Sequence, residues 1–177
     1  MAIPSLFKKL LFSKQFKYEK GRFYLMTEVP GVILPLDVWV KLQKSLMDVD
    51  KDEAIKIISK IAFEQGENAG KRYKMRVTSS FKGLLKFSKE LSEVLGMGVI
   101  TYLKGSGSEV IFNISPSPFA ERFVELYGRT KEPVCYYLSN IAAGAFSGFT
   151  GKRWVAEEVK CVAKGDLYCQ VMLRVKR

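Results

Sequence analysis

The apolar residues change their period along this chain, and that change most constrains how it folds. Between residues 36 and 95 they recur every three or four positions, which predicts helices. Residues 98–114 instead form two apolar runs around a Gly/Ser turn and predict a β-hairpin, as do residues 16–34 and 152–175. Helices and hairpins come in separate groups, without strand–helix–strand alternation. The sequence therefore predicts an α+β fold, with an antiparallel sheet of hairpins packed against a helical layer.

Capping signals predict where the helices begin. The longest helix has Asp50 as its N-cap, with Glu53 three residues later in a capping-box pattern. The predicted starts, in chain order, are Pro35, Asp50, Ser79 or Ser80, Ser117 and Pro133. Glycines at 96 and 128 predict the ends of the third and fourth helices.

Two helices carry pairs of glycines four residues apart, at Gly66 and Gly70 and at Gly144 and Gly148. Each glycine costs about 1 kcal/mol relative to alanine inside a helix. Close approach by another backbone is the physical reason to keep them there. The pattern predicts tight contacts between helix faces, either within the chain or across a dimer.

Composition excludes several kinds of chemistry and location. The 177 residues contain no histidine, so histidine-based catalysis and histidine metal ligands are excluded. The net charge of +11 is spread along the whole chain, which favours a lysine-rich surface over a dedicated nucleic-acid patch. Three cysteines argue against a fully paired secreted framework, and no apolar run reaches the length of a membrane span. We expect a cytoplasmic protein. The segment 1–17 is interpreted as an N-terminal packing segment, with an interfacial amphipathic helix as the alternative.

The stretch EEVKCVAKGDLYC, residues 157–169, holds two of the cysteines. If the last hairpin turns through residues 164–166, Cys161 and Cys169 lie opposite each other on one face of the sheet. Cys135 lies in the first turn after Pro133, where helix-end amides favour a thiolate. Glu158 would point to the opposite face unless a β-bulge intervenes. Spacing alone leaves three interpretations open: buried apolar cysteines, a disulfide, or a metal site.

The tail IAAGAFSGFTGKRWVAEEVKCVAKGDLYCQVMLRV resembles the 4-vinyl reductase domain family. The shared pattern is Glu-x-x-Cys-x-Ala-x-Gly-Asp-x-x-Cys, preceded by a helix with small-residue spacings and by an upstream cysteine. In this chain the pattern falls on Cys135, Glu158, Cys161, Ala163, Gly165, Asp166 and Cys169. The match covers residues 133–175; upstream, only the order of elements agrees.

The resemblance implies a fold related to subunits of the TRAPP vesicle-tethering complex. Members of the family with this pattern hold a zinc ion, and the implied ligands here are Cys135, Glu158, Cys161 and Cys169. Four protein ligands leave no open position on zinc, so the site is expected to be structural and the protein a binding module rather than an enzyme. The basic residues near in sequence, which could offset the negative charge of the site, are Lys152, Arg153, Lys160 and Lys164.

The resemblance also implies a function. The family contributes sensing domains for aromatic effectors to bacterial activators, so we expect one domain over residues 1–177, acting as a homodimeric, regulatory binding module for a small hydrophobic ligand. Its parts would be an N-terminal segment and hairpin at 1–34 and a zinc-binding helix and hairpin at 133–175. The aromatic candidates for a pocket are Tyr102, Phe112, Phe146, Phe149 and Trp154, with the protein core as their alternative role.

Two other functions remain as alternatives. One is a nucleic-acid-binding regulator that uses the basic segment KRYKMR at 71–76, and the other is an accessory to a tetrapyrrole vinyl reductase. The effector-sensing members use a histidine on the effector, which this chain lacks. Phenol specificity is therefore not expected, and the sequence leaves the ligand-binding residues unknown.

Overall fold

A computed structural model describes residues 16–25 and 29–176. In chain order the elements are strands β1 (Phe16–Glu19), β2 (Arg22–Leu25) and β3 (Val29–Gly31), helices α1 (Leu36–Val49), α2 (Lys51–Arg76) and α3 (Phe81–Val94), strands β4 (Ile100–Gly105) and β5 (Glu109–Ile114), helices α4 (Pro118–Tyr127) and α5 (Tyr136–Thr150), strand β6 (Trp154–Lys160), a short 3-10 helix (Val162–Lys164) and strand β7 (Cys169–Val175). The predicted α+β class and the order of the elements are confirmed.

The main sheet has four antiparallel strands in the order β4-β5-β7-β6. Val110, Phe112 and Ile114 alternate with more exposed residues on β5, and they pair with Leu173, Val171 and Cys169 on β7. This alternation gives the sheet one buried face, as the two-residue period of a strand requires. Trp154 of β6 packs against Phe146 of α5, so the core lies between that face and the helices. Cys169 thus stands at the end of a row of core side chains.

The helices begin close to the predicted caps. Asp50 accepts a hydrogen bond from the Glu53 backbone N–H at 3.0 Å, and Ser80 accepts one from Gly83 at 3.0 Å. Ser117 occupies the N-cap of α4, but its side chain makes no capping hydrogen bond. The last helix begins later than predicted: α5 starts at Tyr136, and Cys135 is its N-cap rather than part of its first turn. The Cys135 backbone N–H is bonded to the Glu158 carboxylate instead, which holds this residue outside the helix.

The four glycines bring α2 and α5 together. A Cβ atom at Gly66 or Gly70 would overlap the backbone carbonyl oxygen of Ile141 or Ala145, and one at Gly144 or Gly148 would overlap that of Phe63 or Glu67. The contacts advance in the same direction on both helices, so the two run parallel. Hydrogen atoms on the glycine Cα carbons then face carbonyl oxygens, a weak attraction that recurs at close helix crossings. The predicted close contact is confirmed, and it lies within one chain.

A separate antiparallel sheet joins β1, β2 and β3. Lys20 and Gly21 form its two-residue turn, both with positive φ, as the predicted hairpin requires. The predicted turn at Pro30-Gly31 is wrong, because these residues belong to β3 and pair with β2. Proline is tolerated there because β3 is an edge strand. Residues 1–15, with the predicted packing segment or amphipathic helix, lie outside the described residues.

The connection between β6 and β7 also differs from the predicted three-residue turn. The chain leaves β6 after Lys160 and passes through the 3-10 helix, and Gly165 then adopts positive φ. Asp166 organises this loop by accepting the Cys161 backbone N–H on its side-chain oxygen at 2.8 Å. Within residues 16–25 and 29–176, none of the helices is long and apolar enough to cross a membrane.

Candidate functional site

Three elements of the fold converge on three thiols and one carboxylate, which together form the thiol cluster. Cys135 comes from the N-cap of α5, Glu158 and Cys161 from the end of β6, and Cys169 from the first residue of β7. The three cysteines are completely buried and unpaired. One ligand atom from each of the four residues lies within 4.8 Å of the others, so the structure brings together every residue of the expected ligand set.

A bulge in β6 turns Glu158 toward the cysteines. The pairing of β6 with β7 shifts by one residue between Glu158 and Lys160. A one-residue shift reverses the face to which a strand residue points. The predicted bulge is therefore present, and it places Glu158 and Cys161 at the same site.

The sulfur positions match those of a tetrahedral metal site. Cys135 Sγ and Cys169 Sγ are 3.7 Å apart, and Cys169 Sγ and Cys161 Sγ are 3.8 Å apart. Zinc–sulfur bonds of about 2.3 Å give a tetrahedron with sulfur–sulfur edges of about 3.8 Å. A disulfide would need the two sulfurs at about 2.05 Å. The thiol cluster could therefore hold a metal ion.

Glu158 supplies the second sign of an ion site. Its Oε2 accepts the Cys135 backbone N–H at 2.9 Å, while its Oε1 is buried without a hydrogen-bond partner. Burial, followed by the nearby Cys161, raises the pKa of Glu158 to about 8. A buried, ionised oxygen is costly unless a cation or donor faces it. The donor set present here fits a divalent cation that accepts sulfur and oxygen ligands.

The three thiols influence one another strongly. Hydrogen bonds from Cys135 and then from Cys161 lower the pKa of Cys169 despite its burial, and Ser117 and the Val162 backbone N–H act in the same direction. Hydrogen bonds with Cys161 and Cys169, followed by burial, raise the pKa of Cys135. The expectation that helix-end amides favour the Cys135 thiolate is therefore not met, because its neighbours and its burial outweigh them.

Comparison with known proteins identifies this part of the chain. A family model for the 4-vinyl reductase domain matches residues 113–175, which include all four residues of the thiol cluster. Residues 113–175 are a 4-vinyl reductase domain. The resemblance seen in the sequence is confirmed for this region. An uncharacterized protein of Methanocaldococcus jannaschii is 28% identical over 145 residues, which cover 81% of this chain and 70% of that protein.

Two solved structures share the fold. The phenol-responsive sensory domain of the transcription activator PoxR, solved with phenol, matches 98% of this chain and 92% of its own length, with a TM-score of 0.84 and 21% identity. A trafficking protein particle complex subunit 3 from Naegleria fowleri, covalently bound to palmitic acid, matches 80% of this chain and 95% of its own, with a TM-score of 0.55 and 15% identity. The expected relation to TRAPP subunits is confirmed at the level of the fold.

The basic residues expected to offset the charge of the thiol cluster are engaged in other contacts or exposed. The Arg153 guanidinium lies 3.8 Å from the centre of the Phe63 ring. Lys160 Nζ lies 3.1 Å from the Tyr168 hydroxyl. Lys152 and Lys164 are exposed. Backbone N–H groups lie nearer to the cluster: Val162 donates to Cys169 Sγ at 3.4 Å.

A second feature of the chain is an apolar groove of about 380 Å³ between α1, α2 and the start of α5. None of its lining side chains is charged. They are Leu34, Leu36, Trp39, Leu42, Gln43, Leu46, Ile57, Ile58, Ile61, Leu95, Met97, Phe119, Tyr137 and Leu138. Several remain substantially exposed, including Trp39 at 47% and Ile61 at 57%. The groove thus presents a concave apolar surface.

The aromatic residues proposed from the sequence do not line this groove. Phe112, Phe146, Phe149 and Trp154 are buried in the core, and Tyr102 packs partly buried against it. Their alternative role as core residues is therefore confirmed. Sequence analysis missed the groove, although α1 carries the signal that could have found it. Its apolar residues at 38, 39, 40 and 42 cover more than one face, which is more than a helix buried on a single side needs.

Gln43 connects the groove to the thiol cluster. This side chain is buried, lines the groove and donates from Nε2 to the Val134 carbonyl at 2.8 Å. Val134 immediately precedes Cys135, so the hydrogen bond fixes the backbone that carries one thiol. Tyr137 and Leu138 of α5 lie on the other wall. The two features therefore share the start of α5.

Proposed function

We propose that this protein is a zinc-stabilised binding module for a small, largely apolar ligand. The observation that carries the ligand half of the proposal is the uncharged groove between α1 and α2. The zinc half rests on the thiol cluster of Cys135, Glu158, Cys161 and Cys169. The fold shared with a phenol-responsive sensory domain supports a sensing, regulatory role.

Zinc fits the thiol cluster better than other common ions do. Three thiolates and one carboxylate are ligands that zinc accepts in tetrahedral sites, whereas magnesium and calcium require oxygen. All four positions would be filled by the protein, so the ion would supply cross-linking rather than Lewis-acid chemistry. Such an ion would join α5, β6 and β7 at their adjacent ends.

Native mass spectrometry together with elemental analysis tests the metal. Protein purified under reducing conditions should carry one zinc per chain. Cys161→Ser and Cys169→Ser should each lose it. A wild-type protein that contains no metal, and takes none up when zinc is supplied, would contradict this half of the proposal.

The groove has the size and chemistry of a ligand site. Its volume of about 380 Å³ falls in the range of small-molecule pockets. Because its lining carries no charge, a charged group placed inside would be desolvated without a partner. The favoured ligand is therefore neutral over the part that enters, with Gln43 and Tyr137 as the polar side chains within reach.

Tryptophan fluorescence offers a direct test, since the chain has only two tryptophans. Trp39 lines the groove, whereas Trp154 is fully buried in the core. A neutral fluorescent probe such as N-phenyl-1-naphthylamine should bind and quench Trp39 by energy transfer. Most of the quenching should disappear in Trp39→Phe, while Trp154→Phe serves as the matched control and should retain it.

The oligomeric state and the extent of the domain are parts of the same proposal. We place residues 1–177 in one domain, supported by the 98% coverage in the comparison with the PoxR sensory domain. A homodimer is supported by the exposed apolar residues Val32, Ile33 and Val49. A cytoplasmic location would suit three unpaired thiols. Light scattering at several concentrations tests the dimer, and a monomer throughout would contradict it.

Thermal-shift screening separates ligand binding from nucleic-acid binding. A hydrophobic ligand at a hundred times its dissociation constant stabilises the folded state by about 2.7 kcal/mol. Neutral hydrophobic metabolites should therefore raise the melting temperature. If only nucleic acids or acidic polymers do so, with a strong dependence on salt, the net charge was the relevant signal and the groove proposal is wrong.

A further inference from the structure

Within the described part of the chain, two buried side-chain oxygen or nitrogen atoms lack a hydrogen-bond partner: Glu158 Oε1 and Ser117 Oγ. Buried polar atoms are nearly always paired, so each exception requires a reason. The proposed metal explains Glu158. Ser117 is not a ligand of that site, and its side chain is completely buried.

Ser117 stands where serine normally serves as a helix cap. An N-cap hydroxyl usually accepts a backbone N–H from the first turn of the helix. Here the hydroxyl makes no such bond. The Ser117 backbone N–H does participate, because it donates to Glu121 Oε1 at 2.8 Å. The side chain is therefore directed away from the helix it precedes, and capping does not account for it.

The path of the chain brings Ser117 to the Cys169 sulfur. Ile114, the last residue of β5, pairs directly with Cys169, and Ser117 follows three residues later. The Ser117 hydroxyl is one of the groups that stabilise the Cys169 thiolate, together with the Val162 backbone N–H. A hydroxyl beside a sulfur atom in a site closed to water has the sulfur as its partner.

We propose that Ser117 is a positioning residue of the metal centre, and that its hydroxyl donates a hydrogen bond to Cys169 Sγ while that sulfur holds the metal. The inference rests on the proposed metal site. With the Val162 N–H, Cys169 then has two donors. Donation to a metal-bound thiolate disperses its negative charge, which matters in a cluster whose nearby lysines and arginine point elsewhere.

Cobalt substitution tests this through a spectroscopic signature. The sulfur-to-cobalt charge-transfer band should move to lower energy in Ser117→Ala, because a thiolate without the hydrogen bond gives up electrons more readily. Zinc affinity in a chelator competition should fall about 10- to 100-fold, the usual effect of removing a group that supports a metal ligand. Ser117→Thr, which keeps the hydroxyl, should restore both values toward wild type.

Ser147→Ala is the matched control. Ser147 is also buried, and its hydroxyl donates to the Ala143 carbonyl at 2.8 Å and accepts the Trp154 backbone N–H at 2.8 Å. Its loss should lower stability while leaving the cobalt band and zinc affinity unchanged. The inference is overturned if Ser117→Ala keeps the wild-type band and affinity. A wild-type protein that binds neither cobalt nor zinc would instead refute the metal site itself.

A measurement on the wild-type protein decides the matter if Ser117→Ala does not fold. Protein loaded with NMR-active cadmium should show scalar coupling from the metal to the Ser117 hydroxyl proton. Coupling to the Val162 amide proton is the internal reference. Coupling to Val162 without coupling to Ser117 would overturn the inference.

Discussion

Helix α2 has two apolar faces that meet opposite environments. One face, at Gly66 and Gly70, contacts the α5 backbone so closely that there is no space for a methyl group. The other, at Ile57 and Ile61, lines an open groove and stays about half exposed. The difference shows that a small side chain can mark the tightest contact of a helix, while its largest apolar residues mark the surface that is left open.

The closed region continues from α5 into the metal centre. Cys135 precedes α5, and Gly144 and Gly148 lie two and three turns further along it, against α2. The open region depends on apolar side chains that keep their exposure. If this contrast is correct, substitutions in the closed region should change stability, and substitutions in the groove should change binding.

The largest effect is expected from loss of the metal. Cys169→Ser removes one ligand and leaves buried thiols and Glu158 without a cation, so the free energy of unfolding should fall by more than about 4 kcal/mol. Denaturant unfolding measures it. A strong chelator should destabilise the wild type but have no further effect on Cys169→Ser. An unchanged wild-type midpoint in chelator would remove the metal from the closed region.

Gly144→Leu should have the next largest effect. Its side chain would overlap the Phe63 backbone carbonyl and force α2 and α5 apart, at a cost of about 3 kcal/mol or more in the free energy of unfolding. Gly107→Leu is the control, because an added Cβ there meets no atom, and it should stay within about 0.5 kcal/mol of wild type. Equal melting temperatures for the two variants would contradict the close contact.

Gln43→Leu probes the residue shared by both regions. Loss of its hydrogen bond leaves the buried Val134 carbonyl without that donor, so stability should fall by about 1–2 kcal/mol. Zinc should also pass to a chelator faster, since Val134 adjoins Cys135. The exposed Gln65 provides the control: Gln65→Leu should change neither quantity. Unchanged zinc transfer in Gln43→Leu would show that groove and cluster are independent.

Ile61→Ser should have the smallest effect on the fold and a clear one on binding. The side chain is 57% exposed, so the free energy of unfolding should change by less than about 0.5 kcal/mol. Affinity for the neutral probe should fall about five- to tenfold, as expected for the loss of roughly 1 kcal/mol of apolar contact. Val49→Ser, 88% exposed and outside the groove, should leave affinity unchanged. Equal affinities in both variants would place the ligand elsewhere.

Local signals predicted the elements well because they act over a few residues. The Asp50 cap, the Lys20-Gly21 turn and the alternating residues of β5 each form through neighbours in the sequence. The prediction that failed at Pro30-Gly31 did so because a distant choice decided it. Whether a Pro-Gly pair turns the chain or ends an edge strand depends on the strand beside it.

The candidate site was predicted in its residues but not in its surroundings. The motif named the four residues of the thiol cluster, and the bulge in β6 was expected because Glu158 needed it. The charge balance was predicted wrongly: Arg153 is adjacent to β6 in sequence, yet its side chain rests on Phe63 of α2. Proximity in sequence does not fix the direction of a long side chain.

The sequence by itself determined the kinds of element, their caps and the chemistry available, because residue type and period act locally. A chain without histidine and with three cysteines and a correctly spaced glutamate had its candidate ligands fixed from the start. Only the tertiary structure decided which apolar face of α2 would be covered and which left open. It alone brought Ser117, an apparent helix cap, beside Cys169. These outcomes depend on contacts between residues far apart in the chain, and no local pattern encodes them.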